Sequence, residues 1–316
     1  MYVFVTGATG FVGTAVVKEL LSHGHTVLGL ARNAASAAKL RKLGADAHEG
    51  SLGDLESLKA GAAKADGVIH LAFTHDFTRY LDSCREDGAA IEALGAALEG
   101  TDKPLVVTSG TAVFGPLRDP ASTMPNTEDD RAPTAFEQMP RIQSELSAHA
   151  VAARGGGVRV AIVRLPPTVH GPGDGAFVPA MIDAARARGV SAYVGDGAQV
   201  WCAVHRDDAA VVFRLALDKA PAGAATVLHA VGEEAVPLRR IAEVIGDKAG
   251  VPVKSIVREE AGAHFGWLAH FAEMNAPASS DKTRALLGWE PTQVGLLEDL
   301  EKGTYFAPGA KCAFTM

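Results

Sequence analysis

Apolar residues open the chain in a block. Positions 2–5 (Tyr-Val-Phe-Val) form a short continuous run, the pattern of a strand buried on both faces. The period then changes: Val12, Val16 and Leu20 recur at helical spacing, with Val17 and Leu21 beside them. The alternation continues through the first half of the chain. Strands are predicted at 26–30, after the Gly24 helix stop, and at 45–48, 66–72, 105–109 and 158–165, the last after the break Gly155-Gly156-Gly157. Helical stretches lie between them, among them 89–98 and 142–153. Strands alternating with helices predict an α/β fold, a doubly wound parallel sheet with right-handed crossovers. Beyond Leu165 the texture changes. Pro166-Pro167, Gly171-Pro172-Gly173 and Gly195-Asp196-Gly197 mark loops, while 227–231 returns as one more sheet strand. The expected division is a nucleotide-binding domain of 1–165 joined by 204–232, and a smaller C-terminal substrate-binding lobe of 166–203 and 233–316.

The turn between the first strand and the first helix reads Thr6-Gly7-Ala8-Thr9-Gly10-Phe11-Val12-Gly13. Glycines spaced this way, after a strand and before an amphipathic helix, let the backbone turn tightly and approach a pyrophosphate, which the free N–H groups and partial positive charge of the helix start attract. The turn therefore predicts a Rossmann-type dinucleotide site; a turn that only packs helix on strand is the plainer alternative. About 20 positions beyond such glycines an acidic residue usually binds the ribose 2′-hydroxyl. Here the end of the second strand reads Leu30-Ala31-Arg32-Asn33, with no carboxylate to repel a 2′-phosphate. Arg32 pairs well with such a phosphate and Asn33 adds a hydrogen bond, so NADP(H) is expected over NAD(H). Ser51 and Leu52 would flank the adenine, and Leu71 and Ala72 the ribose and pyrophosphate.

Composition narrows the rest. The 316 residues are 47% hydrophobic and 21% charged, enough for a large core. A net charge of −7 argues against a nucleic-acid partner and leaves no basic patch for an anionic membrane. No apolar run approaches the ~20 residues of a membrane span. The first strand and its turn open the sequence, so no signal peptide is expected before them, and Cys84, Cys202 and Cys312 are odd in number and far apart. A reducing, cytoplasmic setting is expected, with no disulfide framework. The 11 histidines show no H-x-x-x-H or Cys/His cluster, so no metal is expected.

Further motifs follow in order: His70-Leu71-Ala72, VTSGTAVFG at 107–115, VRLPPTVHGPGD at 163–174, Gly195-Asp196-Gly197, and AVHRDDAA at 203–210. With the glycine turn, these make the sequence resemble the short-chain dehydrogenase/reductase superfamily in its extended or atypical branch, over nearly the whole chain. It is similar to NAD(P)-dependent epimerase/dehydratase-like proteins. The resemblance implies a Tyr-x-x-x-Lys pair, an upstream Ser or Thr, and an Asn. The tyrosine moves a proton at the carbonyl oxygen, the lysine lowers its pKa, and the hydroxyl steadies the substrate oxygen. This sequence departs at each place. The pair aligns with Arg141 and Glu145, read either as an i,i+4 ion pair or as Arg141 polarising the carbonyl with Glu145 holding it or the ribose. The asparagine aligns with Asp87, a water or proton relay or else a helix N-cap. The hydroxyl position is Gly110, flanked by Ser109 and Thr111, which either supply the hydroxyl or simply end the strand.

In the superfamily's nucleotide-sugar epimerases an arginine after the GDG turn binds the substrate diphosphate. That place is Trp201 here, which implies a smaller or more apolar substrate; core packing is the alternative. Phe73, Tyr80, Phe114, Val169, His170, Phe177 and Tyr193 are further pocket candidates, as is the segment His264-Phe265-Gly266-Trp267. Water, Tyr80 or His75 would supply a proton, although packing or an exposed loop suits these side chains as well. Pro166 and Val169 fall in the stretch that lies against the nicotinamide in the family. His205 reads as structural. The expectation is an NADPH-dependent carbonyl reductase of a small ketone or aldehyde, monomeric or homodimeric. An epimerase or dehydratase and a non-catalytic NADP-binding sensor are the rivals; loss of Tyr-x-x-x-Lys favours the sensor.

Overall fold

A computed structural model describes residues 1–113, 124–131, 140–307 and 309–310. The first half runs β1 (Tyr2–Thr6), α1 (Phe11–Ser22), β2 (Thr26–Ala31), α2 (Ala34–Leu43), β3 (Asp46–Glu49), α3 (Leu55–Lys64), β4 (Gly67–His70), α4 (Tyr80–Leu98), β5 (Pro104–Gly110), α5 (Gln143–Ala153) and β6 (Arg159–Leu165). Then come β7 (Thr168–His170), α6 (Phe177–Arg188), β8 (Ser191–Val194), β9 (Val200–His205), α7 (Arg206–Lys219), β10 (Thr226–His229), β11 (Glu233–Pro237) and α8 (Leu238–Ala249). The chain continues as β12 (Val253–Ile256), α9 (Arg258–Phe265), α10 (Ala269–Ala272), α11 (Asp281–Leu287) and α12 (Leu296–Lys302).

Seven strands form one parallel sheet in the order β10-β6-β5-β4-β1-β2-β3. This is the Rossmann-type α/β arrangement that the alternation predicts. Strand order reverses between β1 and β4, and a crevice opens there at the carboxyl ends. One core, with Val5, Val16, Leu20, Ala209 and Phe213, covers the α1/α7 face; another, with Phe4, Leu58, Ile91, Leu94 and Val151, covers the α3/α4/α5 face. A separate core of Ile182, Trp201, Ile241, Phe265 and Leu300 gathers α6, α8, α9 and α12 around β8 and β9. No described helix is long and apolar enough to cross a membrane.

Two elements differ from the sequence pattern for local reasons. The strand expected at 66–72 stops at His70, because the N–H groups of Leu71 and Ala72 turn to Thr6 Oγ1 at 3.2 and 3.1 Å. The helix expected from 89 begins at Tyr80 and continues through Gly88 and Gly95. A Cβ on Gly88 would lie 2.6 Å from Gln143 Cγ, and one on Gly95 2.5 Å from Val151 Cγ2. These glycines let α4 and α5 approach closely; they do not end a helix. Asp87 is thus inside α4 and is no N-cap.

Candidate active site

The glycine turn is built by close approach. Gly7 is left-handed at φ +66°, and a Cβ there would sit 2.7 Å from Ala72 N, at the end of β4. A Cβ on Gly13 would lie 2.0 Å from Gly7 O, so only glycine lets α1 dock on β1. Gly10 precedes α1 in extended geometry, and no side chain caps the helix. Thr14 is the first residue whose N–H bonds back, to Gly10 O at 3.0 Å, and the first turn holds no acid. The uncapped N–H groups of Phe11, Val12 and Gly13 fit an anionic pyrophosphate.

At the end of β2, Arg32 is exposed and makes no ion pair or hydrogen bond to a described residue. The Asn33 carbonyl caps α2 by accepting from Ser36 N at 2.9 Å, which leaves its amide N–H groups for a ligand. Lys39 of α2 reaches back to the turn and donates from Nζ to Thr9 O at 2.5 Å. Sequence reasoning missed Lys39, since only the docking of α2 brings it to Thr9. Ser51 is exposed beyond β3, and Leu52 is half-buried against the core. Pro166 is buried and Val169 half-buried at the end of β6 and in β7.

Beside the crevice lie two buried charge networks. Arg141 does not meet Glu145, so the i,i+4 ion pair is not formed. Its Nη1 bonds Asp87 Oδ2 at 2.9 Å, and its Nη2 donates to Thr108 O at 3.1 Å. Asp87 also accepts from Ser144 Oγ at 2.5 Å and from His70 Nε2 at 3.1 Å. Thr6 Oγ1 lies 2.8 Å from His70 Nδ1. It already accepts from Leu71 N and Ala72 N, so its own proton goes to Nδ1. Burial alone would raise the Asp87 pKa, but Arg141 and the hydrogen bonds from His70 and Ser144 hold the carboxyl below its ordinary value.

Glu145 pairs with Arg164 of β6, Nε to Oε1 and Nη2 to Oε2, both at 2.8 Å. Ser109 Oγ donates to Glu145 Oε1 at 2.6 Å. Burial opposes ionisation here too, yet the Arg164 fork and Ser109 keep the Glu145 pKa below its ordinary value. Arg164 also donates from Nη1 to Asp130 O at 3.0 Å and approaches His229 Nε2 at 3.3 Å. His229 gives its Nδ1 proton to Ser279 O at 2.7 Å, and burial lowers its pKa. The Ser109 proton is therefore engaged, and Thr111 Oγ1 is packed at 3.3 Å from Cys202 Sγ. In the Thr111–Cys202 contact either group can donate, so only the Ser109 proton is committed, to Glu145. A charged residue within the apolar run of β6 was the available signal for a buried counter-charge at Glu145.

Phe73, His75 and Tyr80 cluster where β4 ends. The Arg141 guanidinium lies 4.2 Å from the Phe73 ring centroid, with Tyr80 at 6.1 Å and His75 at 5.0 Å ring to ring. Burial, then neighbouring Cys84, pushes the Tyr80 pKa up to about 12. Other candidates lie apart. His170 is buried on Asp299 at 2.9 Å and stacks edge-on with His205 at 5.3 Å. Trp201 is fully buried and donates from Nε1 to Phe271 O at 3.1 Å. Half-buried Phe177 packs on it at 5.6 Å and on Phe271 at 4.6 Å. Tyr193 of β8 carries Arg239 over its ring at 5.5 Å. Phe114 lies outside the described residues. Among the described residues no group of three His, Cys, Asp or Glu is placed to hold a metal.

This sheet and turn define a nicotinamide-dinucleotide-binding α/β protein. The model of the NAD dependent epimerase/dehydratase family matches residues 3–228, and the chain belongs to that family of oxidoreductase- and epimerase-type enzymes. It is 47% identical over 306 residues to an uncharacterized protein of Schizosaccharomyces pombe, covering 97% of this chain and 100% of the relative. It is 29% identical over 288 residues to the 4-hydroxy-2-methyl-3-oxo-4-farnesyl-3,4-dihydroquinoline-1-oxide ketoreductase of Stigmatella aurantiaca, covering 88% of this chain and 84% of that one. Among solved structures it is similar to MoeE5 in complex with UDP-glucose and NAD, with a TM-score of 0.73 at 25% identity over 97% of this chain and 98% of that chain.

Proposed function

We propose that the protein is an NADPH-dependent carbonyl reductase acting on a small, largely apolar ketone or aldehyde. The observation that carries this reading is Arg141. It is a permanent cation, 19% exposed, set between Asp87 and Thr108 O with one face on Phe73. Its Nε–H has no acceptor among the described residues and stands ready for a growing oxyanion. Charge fixed in advance in this way needs no reorganisation during reaction. Asp87 and the Thr6–His70 chain behind it hold the guanidinium in place. The glycine turn would hold the cofactor's pyrophosphate and the Pro166–Val169 stretch its nicotinamide ring, which would supply the hydride. Tyr80 supplies the proton: it stays protonated across the neutral range, and an alkoxide is a stronger base than its phenolate.

Exposed Arg32, with Lys39 at Thr9, supports NADPH over NADH, since both offer cations to a 2′-phosphate. Trp201, at the place of the epimerases' diphosphate-binding arginine, is a fully buried core residue packed by Phe177, which itself packs on Phe271; that position offers no cation, which supports an apolar substrate over a nucleotide sugar. The similarity to a ketoreductase agrees with this direction. Trp201 and Phe177 belong to the core gathered around β8 and β9, separate from the two that cover the sheet, which supports the division into nucleotide-binding and substrate-binding parts at Leu165.

Purified protein is incubated with NADPH or NADH and a panel of aryl ketones, keto esters and aldehydes, following loss of reduced-nicotinamide absorbance. Turnover with NADPH that falls about a hundredfold or more in Tyr80→Phe is expected, the range of a lost general acid. Tight NADPH binding with no carbonyl reduced would replace the reductase with a nucleotide-binding sensor.

A further inference from the structure

Arg206, the first residue of α7, has no part in the chemistry above. Its guanidinium carbon lies 5.3 Å from the ring centroid of Phe11, the first residue of α1. A permanent cation from α7, 195 residues away in the sequence, thus stands beside the first residue of the helix whose uncapped N–H groups fit a pyrophosphate. Its neighbours hold it without using it up. Nη1 donates to Pro172 O at 2.5 Å. Asp207 Oδ1 is 3.4 Å from Nε, but Nε is buried and makes no hydrogen bond. Nη2 has no acceptor among the described residues. The loop beside it is shaped to admit the side chain. Gly171, at φ +132°, would place a Cβ 3.2 Å from Arg206 Cγ and 2.9 Å from His205 Nε2. A planar guanidinium with free donors suits phosphate oxygens better than any other side chain.

We propose that Arg206 is a ligand of the dinucleotide pyrophosphate, reaching it across the Phe11 ring and complementing the α1 N–H groups from outside the glycine turn. The proposal rests on the dinucleotide reading of that turn but not on the choice between NADPH and NADH, because the pyrophosphate is common to both. A cation brought by α7 also ties occupancy of the nucleotide site to the 171–175 loop, which leads into Phe177 and the core around β8 and β9.

The test is equilibrium binding of ADP-ribose, NADPH and NADH to the full chain and to its Arg206→Met and Arg206→Lys variants, with melting temperatures measured alongside. ADP-ribose affinity is expected to fall about tenfold in R206M, the loss of a charge-assisted hydrogen bond, and less in R206K, which keeps the charge. NADPH and NADH should weaken by the same factor, leaving their ratio unchanged. Unaltered ADP-ribose affinity in R206M overturns the proposal. So do equal losses in R206K and R206M, since lysine keeps the charge that the arginine would bring to the pyrophosphate. R206K keeps the test alive should R206M fail to fold. A wild-type NADPH/NADH ratio near one would refute the NADP reading and leave this proposal standing. A wild-type chain that binds no ADP-ribose would overturn both.

Discussion

Replacing Glu145 by alanine tests whether the residue at the family's lysine position is structural or chemical. Arg164 is 1% exposed and Glu145 2%, and the two meet through two 2.8 Å hydrogen bonds. Alanine removes the Glu145 carboxylate from a buried guanidinium, and the neutral acceptors Asp130 O and His229 Nε2 do not replace its charge. Breaking such a pair from one side costs about 3–5 kcal/mol. That is a large part of the roughly 5–15 kcal/mol by which folded proteins are stable. Glu145→Gln keeps one acceptor oxygen and should cost less, about 1.5–3 kcal/mol, the worth of a hydrogen bond to a charged group. The double variant Glu145→Leu/Arg164→Met removes both charges and should recover most of the loss. Urea unfolding followed by circular dichroism reads all three, at unchanged slope. The folded Glu145 pKa is depressed, so its stabilisation is present above the ordinary carboxylate value of 4.5 and is lost as pH falls through the lower folded value. A loss under about 1 kcal/mol in Glu145→Ala would refute the reasoning. A double variant no more stable than the single one would do the same.

Three further outcomes follow from the geometry. Gly13→Ala should destabilise by about 1–3 kcal/mol and lose dinucleotide binding, because its Cβ meets Gly7 O rather than a movable side chain; calorimetry and titration with NADPH check both. Asp174 accepts from Tyr305 Oη at 2.9 Å in a buried corner, and burial raises its pKa from 3.8 to about 6. The folded state then binds a proton that the unfolded state has released between those values, so stability falls as pH rises through that window; Asp174→Asn should raise the melting temperature at pH 8 and change it little at pH 4. Arg32→Asp should weaken NADPH by roughly tenfold to a hundredfold while sparing NADH; an unchanged NADPH dissociation constant removes Arg32 from the site.

What was legible in the sequence was local. The β1 run, the helical period after Val12 and the glycines between them each specify structure through near neighbours, and the sheet follows from their alternation. The start of α4 was not legible, because Gly88 answers to Gln143 on another helix rather than to its own turn. The fate of Arg141 and Glu145 was hidden for the same reason. One turn apart, they read as partners, but Asp87 lies 54 residues from Arg141, and Arg164 lies 19 from Glu145. Only the sheet brings each to its counter-charge. Ser109 and Thr111 carried the right chemistry in the right strand, yet whether a hydroxyl keeps its proton free depends on Glu145 and Cys202, which the strand alone does not place. Lys39 was missed because its value depends on how α2 docks against Thr9.

Under the proposed function this family member reduces a carbonyl with NADPH, with Arg141 standing at the position of the family's tyrosine. The most direct measurement compares wild type with Arg141→Gln, following NADPH consumption with an aryl ketone while measuring NADPH affinity separately. Wild type should turn over, and Arg141→Gln should lose about a hundredfold or more in kcat, in the range for removing a preorganised oxyanion donor, with NADPH affinity kept. Arg141→Gln matching wild type, or no turnover by wild type on any carbonyl despite bound NADPH, would contradict the proposed function.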